Sequence, residues 1–371
     1  MMGPIEPREI SMSNAPFGND PAKIERYRAF WKLDDVKRPL VGFSFVGWFP
    51  FQEFQACQSW RSSSYLTPDM MAPEDFMADY LRILSEGERL DDDLIRGACP
   101  MQVAVPFLPG MLGCRSRILP DNVLGEEQHL TWDEALRLRL DQENPWFRKY
   151  VEFGRALVAL SAGRFPVSHN AELGPTDLHA LVRGHNESIV DLVDEPDKSA
   201  EILWRMGEIF RDVTEEFWKG IPLYHGGYFD AQYSLWAPGP TIRIQEDATA
   251  VFSPDLYRKL VQPVDRVLAA HFPCSFIHLH STSMFLLEAF LEIEEIHCFE
   301  INNDVGGPPL EKMVPCFQQV QRARRPLLIR GSFNQREMRL LLDSLEARGL
   351  FLNIMVDRME EVETLRGLLA M

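Results

Sequence analysis

Eight short apolar runs, separated by longer stretches with helical periodicity, constrain this chain more than any other feature. The runs are RPLVGFSF (38–45), CPMQVAVPFL (99–108), FPVSHN (165–170), PLYHGGYF (222–229), CSFIHLHS (274–281), HCFEINND (297–304), PLLIRGSF (326–333) and LFLNIMV (350–356). Each is too short for a core helix and is bounded by Gly, Pro, Ser or Asn, the mark of a buried strand. Between them, 197–219 carries apolar residues at Ile202, Leu203, Met206, Ile209, Phe210, Val213 and Phe217, a 3.6-residue period. SPDLYRKLVQPVDRVLAAHF (253–272) opens with Ser253 as N-cap and Pro254 at the first helical position, and Pro263 predicts a kink. Residues 284–293 and 335–349 are further helices, the second with Gly349 expected just past its end. Strands alternating with helices imply a parallel sheet with right-handed crossovers. Eight of them predict an α/β chain folded as a (β/α)8 TIM barrel, with an insertion (46–98) after the first strand. The whole of 1–371 is expected to be one domain, with 1–20 as a loose N-terminal arm. An open doubly wound sheet is the alternative, but no GxGxxG follows the first strand.

Charge narrows the partners. With 38 Lys and Arg against 55 Asp and Glu, the net charge is −17, which opposes binding to a phosphate backbone. The one basic run, Arg322 to Arg325, reads as a solvated helix end, so no nucleic-acid partner is expected. No apolar stretch approaches the ~20 residues of a membrane span, and the first 21 residues hold acids and prolines where a signal peptide has an apolar core. The six cysteines show no CxxC pair and read as thiols, not as a disulfide framework. A cytoplasmic protein without membrane association is expected.

In a barrel the chemistry lies at the carboxyl ends of the strands. The apolar runs end in His169, Asn170 and Glu172; Tyr228 and Asp230; His278 and His280; Glu300, Asn302 and Asp304; Arg330; Asn353 and Asp357. On a strand, residues i and i+2 share a face, so His278 and His280 can reach one cation. Glu300 ends the next run, and the three make a candidate set for zinc, iron or manganese. The alternative is that both histidines are hydrogen-bonded pocket residues. A second constellation, Trp236 to Asp247, reads as a shaped loop in which Arg243 clamps a carboxylate and Asp247 exchanges protons. Its alternative is an ordinary surface loop. Trp48, in FSFVGWFPFQEF (43–54), belongs either to a lid over a planar ligand or to a core corner.

LGPTDLHALVRG (173–184), DEPDKSAEIL (194–203), EDATAVFSPDLYRKLVQP (246–263), FIHLHSTS (276–283) and IRGSF (329–333) occur in that order. Together they resemble the uroporphyrinogen decarboxylase superfamily, which also holds cobalamin- and folate-linked methyltransferases. The resemblance covers 160–356 well and the front half loosely. It implies a (β/α)8 barrel with a deep pocket and a homodimer. The decarboxylase branch carries an arginine-rich RQAGRYLPEYR-like segment near its N-terminus, whereas this chain has VGFSFVGWFPFQEFQ and no arginine until Arg61. The zinc methyltransferase branch carries HxC and a later cysteine. Here His278 matches the histidine, His280 stands in place of the cysteine, and LFLNIMVDRMEEVE offers no thiol. Glu300 falls where methionine-synthase-like relatives place an extra acidic ligand.

The leading expectation is a metal-assisted methyltransferase for a small-molecule substrate. His278, His280 and Glu300 would hold the ion, and His169, Tyr228 and Asp247 would move protons. Trp236, Arg243, Trp48, Asn170, Arg330 and Asn353 would shape the pocket. A corrinoid or folate would give the methyl group, the corrinoid on a separate protein because no DxHxxG-type loop is present. Two alternatives stand beside it. One is a metal-independent decarboxylase or lyase for a carboxylated, tetrapyrrole-like molecule; the other is a barrel that binds a corrinoid or tetrapyrrole without turnover.

Overall fold

The computed structural model describes residues 15–45, 50–101 and 106–369. Eleven strands lie among them: β1 (Leu40–Phe45), β2 (Tyr65–Leu66), β3 (Ser116–Ile118), β4 (Val123–Gly125), β5 (Tyr228–Asp230), β6 (Leu235–Ala237), β7 (Thr241–Gln245), β8 (Cys274–Leu279), β9 (Cys298–Asn302), β10 (Leu327–Gly331) and β11 (Leu350–Val356). Six make a parallel sheet in the order β1-β11-β10-β9-β8-β7. Each strand after β7 lies beside its predecessor, and helices fill each of those connections, because parallel neighbours require a crossover. The first and last strands of the chain therefore pair, Leu40 to Phe45 in register with Phe351 to Val356. A further parallel bridge joins Ala98 to Val167, with Ala98 N donating to Pro166 O at 3.0 Å and Ser168 N to Ala98 O at 2.9 Å.

The sheet separates two cores. Ile242, Ile244, Ile277, Leu279, Phe299, Ile301, Ile329 and Leu352 face the helices in the larger one. Each such side chain contributes about 1.5–3 kcal/mol by leaving water. Phe276, Cys298, Leu328, Phe351 and Leu40 face the other way, at the amino ends of their strands, into a smaller core. The helix Lys23–Lys32 and the β5–β6 hairpin complete that core with Tyr27, Phe30, Tyr233 and Trp236. Tyr27 Oη donates to Ser234 O at 2.7 Å, and Trp31 Nε1 to Trp236 O at 2.7 Å. Hairpin and helix thus plug the amino end of the inner face, which leaves the carboxyl end for a site.

Several sequence expectations are corrected. The run 222–229 is not a stave of the parallel sheet; its end enters the antiparallel β5–β6 hairpin. The stave is TIRIQ, 241–245, which the sequence reading placed in a loop. Its alternation puts Ile242 and Ile244 outward and Arg243 inward, and the inward charge disguises a strand as a loop. In the run 99–108, 102–105 lie outside the described residues and Phe107–Met111 is helical. The arm 1–20 is not loose where it is described: Phe17 packs edge-on to Phe165, and the Asn19 side chain bonds both N and O of Arg96. In the insertion, Phe51, Phe54, Trp60, Phe76 and Tyr80 are buried together, so the described part of that segment is a core corner. Gly349 does not end its helix, which stops at Ser344; it occupies a left-handed turn (φ 60°) before β11. Pro263 does divide its helix, into Pro254–Leu260 and Gln262–His271, and Ser253 Oγ caps the first by accepting from Leu256 N at 3.1 Å. Among the described residues no helix is long and apolar enough to cross a membrane.

Candidate metal centre

The alternation that turns Phe276 into the inner core turns His278 the same way one layer higher, and His280 follows just past the end of β8. Parallel register sets Glu300 beside His278 on one side and Gln245 beside it on the other. Asp247 leaves β7 two residues later, and Asp304 leaves β9 in the next loop.

These neighbours arrange the two imidazoles. His278 Nδ1 contacts Glu300 Oε2 and lies 2.8 Å from Tyr233 Oη. His280 Nδ1 lies 2.8 Å from Asp304 Oδ1, while Asp304 Oδ2 accepts from Ser281 N and Oγ, each at 2.8 Å. With both Nδ1 atoms occupied, the two Nε2 atoms face each other at 3.3 Å. Asp247 Oδ1 is 3.7 Å from His280 Nε2, and the ligating atoms of Asp247, His278 and His280 all lie within 4.8 Å of one another. Two nitrogens bound tetrahedrally at ~2.0–2.1 Å are separated by about 3.3–3.4 Å, so the observed spacing fits a zinc-sized ion. A carboxylate behind each ligating histidine is the usual way such rings are oriented and their basicity raised.

Electrostatics agree with the geometry. Burial holds His278 neutral, its pKa pushed down to about 3. Burial also pushes Glu300 up to about 8. The hydrogen bond to Asp304 lifts His280 to about 9. For Asp304 burial pulls upward, but the bonds from His280 and Ser281 outweigh it and hold the carboxyl at about 2. A dication at the Nε2 atoms would take the place of the proton on His280.

No protein-family model matches the chain, and no curated protein matches it. Solved structures do: a methyltransferase from Methanosarcina mazei superposes with a TM-score of 0.60 over 95% of this chain and 98% of that one, at 13% identity. At that identity the likeness is one of fold. It extends along nearly the whole chain, including the front half that the sequence motifs covered loosely.

The centre opens into a cavity of about 460 Å³, lined among others by Asp247, His278, His280, Glu172, Gln232 and Arg330. Burial pushes the Glu172 carboxyl up to about 7. Arg243 lies beneath, fully buried, with Nη2 donating to Glu172 O at 3.0 Å and Nη1 to Gln232 Oε1. The guanidinium carbons of Arg330 and Arg243 lie 5.3 and 6.0 Å from the Tyr233 ring centre.

The remaining expected residues separate from the site. Glu300 stands behind His278 and not beside the facing Nε2 atoms; Asp247 is the carboxylate that reaches them. His169 packs edge-on to Trp218, with Nδ1 2.7 Å from Asn170 O. Tyr228 packs on the same Trp218. Trp236 is in the inner core, its Nε1 donating to Tyr224 O at 2.8 Å. Asn170 donates its backbone N–H to Tyr150 Oη at 2.8 Å. Asn353 secures the hairpin by donating to Tyr233 O at 3.0 Å. Trp48 lies outside the described residues. Sequence reasoning missed Tyr233 as a site residue, because the fold-back that brings it to His278 leaves no local pattern. Asp304 had a signal, its two-residue spacing from Asn302 and Glu300.

Proposed function

We propose that this protein is a metal-assisted methyltransferase for a small molecule, built as one (β/α)8 barrel over 1–371. The six-stranded sheet, with Ala98 and Val167 as the remaining two staves, supports the barrel reading, and the likeness in fold to a methyltransferase agrees with it. The observation that carries the reaction is the pair of facing Nε2 atoms with a carboxylate behind each ring. His278, His280 and Asp247 would hold zinc, with iron or manganese as the other candidates, and Glu300 and Asp304 would orient the histidines. The bound ion would lower the pKa of a substrate hydroxyl or thiol and make it a nucleophile at neutral pH. A bound dication would favour the carboxylate form of Glu300 over its neutral acid, and that carboxylate would then hold the proton of His278 on Nδ1, so that Nε2 presents its lone pair. Arg330 faces the same cavity and suits an anionic end of the substrate. The methyl group would come from a corrinoid on a separate protein or from a folate, and the chain would work as a homodimer.

Methyl transfer from methyl-corrinoid and methyl-folate donors to a panel of alcohols, phenols and thiols tests this reading. Turnover that disappears in His278→Ala supports it; no turnover with any donor and acceptor, in protein loaded with metal, overturns it. A second reading, a metal-independent carboxy-lyase, draws on the buried Arg243 and Arg330 near Glu172, whose raised pKa suits it to deliver a proton. Release of carbon dioxide by chelator-treated protein would favour it.

A further inference from the structure

We propose a second zinc site on the surface, formed by Glu127 and His129 from one segment and by His185 and Glu187 from another. It uses none of the residues of the inner centre and does not depend on the proposed reaction. The sequence presents the two halves as mirror images, Glu127-Gln128-His129 and His185-Asn186-Glu187.

The backbone brings them together. Gln128 N donates to Leu181 O at 2.9 Å and Leu130 N to Val182 O at 2.8 Å, which clamps the first segment along the end of the helix Pro175–Arg183. Gly184 then turns the chain, and His185 opens the next helix, His185–Asp194. Glu127 Oε2 accepts from His185 N at 3.1 Å, and Glu127 Oε1 lies 2.7 Å from His185 Nδ1. His129 reaches both acids, with Nε2 3.6 Å from Glu127 Oε2 and Nδ1 3.7 Å from Glu187 Oε2. The ligating atoms of Glu127, His129 and Glu187 all lie within 4.8 Å of one another.

The turn leaves room for this grouping. Gly184 has φ 103°, and a Cβ on it would come within 2.3 Å of Glu187 Oε2 and 2.5 Å of His129 Nδ1. Two ligand groups therefore lie directly over bare backbone.

The charge also favours a dication. Among the described residues, the ion-pair partners of Glu127 and Glu187 are these two histidines, and no Lys or Arg side chain pairs with either carboxylate. The adjacent Arg183 is engaged elsewhere: Nε pairs with Asp191 at 2.7 Å, Nη1 bonds Leu130 O, and the guanidinium covers the Trp132 ring. Two imidazoles and two carboxylates form a four-ligand set of the borderline kind that zinc accepts. The same segment begins where Val123, Leu124 and Gly125 wall the cavity, so a bound ion would stiffen that wall from outside.

Zinc chloride alone is the probe, with the number of bound equivalents read against a chromophoric chelator at pH 7.5. The comparison is between the parent chain and His129→Asn/His185→Ala, asparagine being chosen because residue 129 has φ 55° and asparagine tolerates that conformation. The site predicts that the variant binds one equivalent fewer and loses part of the zinc-induced rise in melting temperature. Equal stoichiometry in parent and variant overturns it. A fall from two equivalents to one also places zinc in the inner centre, whereas a fall from one to none supports the surface site and denies the inner one. His278→Ala/His280→Ala gives the complementary count, retaining the equivalent that His129→Asn/His185→Ala removes.

Discussion

His278 and His280 approach through Nε2 at 3.3 Å, while Glu300 and Asp304 take their opposite ring nitrogens. Two imidazoles pointing like atoms at each other would repel if both were protonated, and neither turns away because each is held from behind. The arrangement makes sense as a place for one positive charge shared between them.

The first prediction concerns that charge. If the inner centre holds the proposed ion, replacing His278, His280 or Asp247 by Ala should abolish its binding, read as metal content after dialysis. Glu300→Gln keeps a site but weakens it by about 10–100-fold, the usual effect of changing a group that orients a ligating histidine. Undiminished affinity in Glu300→Gln would show that Glu300 does not orient His278.

In chelator-treated protein, His280 should titrate near pH 9 by NMR, and Asp304→Asn should return it toward its ordinary value. The sign for stability follows from both shifts. His280 is raised, so its contribution is complete below about pH 6.5 and is lost as pH rises through about 9. Asp304 is depressed, so its contribution is present above about pH 3.9 and is lost as pH falls through about 2. The pair therefore stabilises most between roughly pH 4 and 6.5, and Asp304→Asn should flatten the falls in denaturation midpoint on either side of that window, as pH rises through about 9 and as it falls through about 2. A parent curve as flat as the variant's would refute the coupling.

Tyr233→Phe should cost about 0.5–1.5 kcal/mol, one hydrogen bond, because the ring keeps its contact with Phe276 and Glu300 still satisfies His278 Nδ1. Urea denaturation reads the loss. A penalty of several kcal/mol would mean that Tyr233, and not Glu300, is the principal partner of that nitrogen.

Gly42→Ala should destabilise by about 1–3 kcal/mol, since a Cβ there would lie 2.0 Å from Leu94 Cγ. Leu94→Ala in the same chain should recover part of the loss by clearing the space. A double-mutant cycle with no coupling between the two positions would contradict the contact.

Much of this was legible in the sequence, for reasons particular residues make clear. The period-two rule placed His278 and His280 on one face because it is a property of any strand, and β8 is a regular one. Asp247 was singled out as a proton carrier, but its place beside the histidines depends on β7, whose inward Arg243 concealed it. Glu300 had the right parity and the wrong distance: parity fixes a face, whereas reach depends on which ring nitrogen is turned toward it. Tyr233 was beyond reach, since it comes to His278 through a hairpin and not along a strand.

The plugged amino end of the inner face has a consequence for traffic. With Tyr27, Phe30, Phe351 and the hairpin filling one end of the inner face, the space at its other end is shaped as a cup. The cavity reaches the surface beside the exposed Leu124 and Val305. On the proposed function, a product that still fits the cup would delay the next substrate, and its inhibition should be competitive with that substrate.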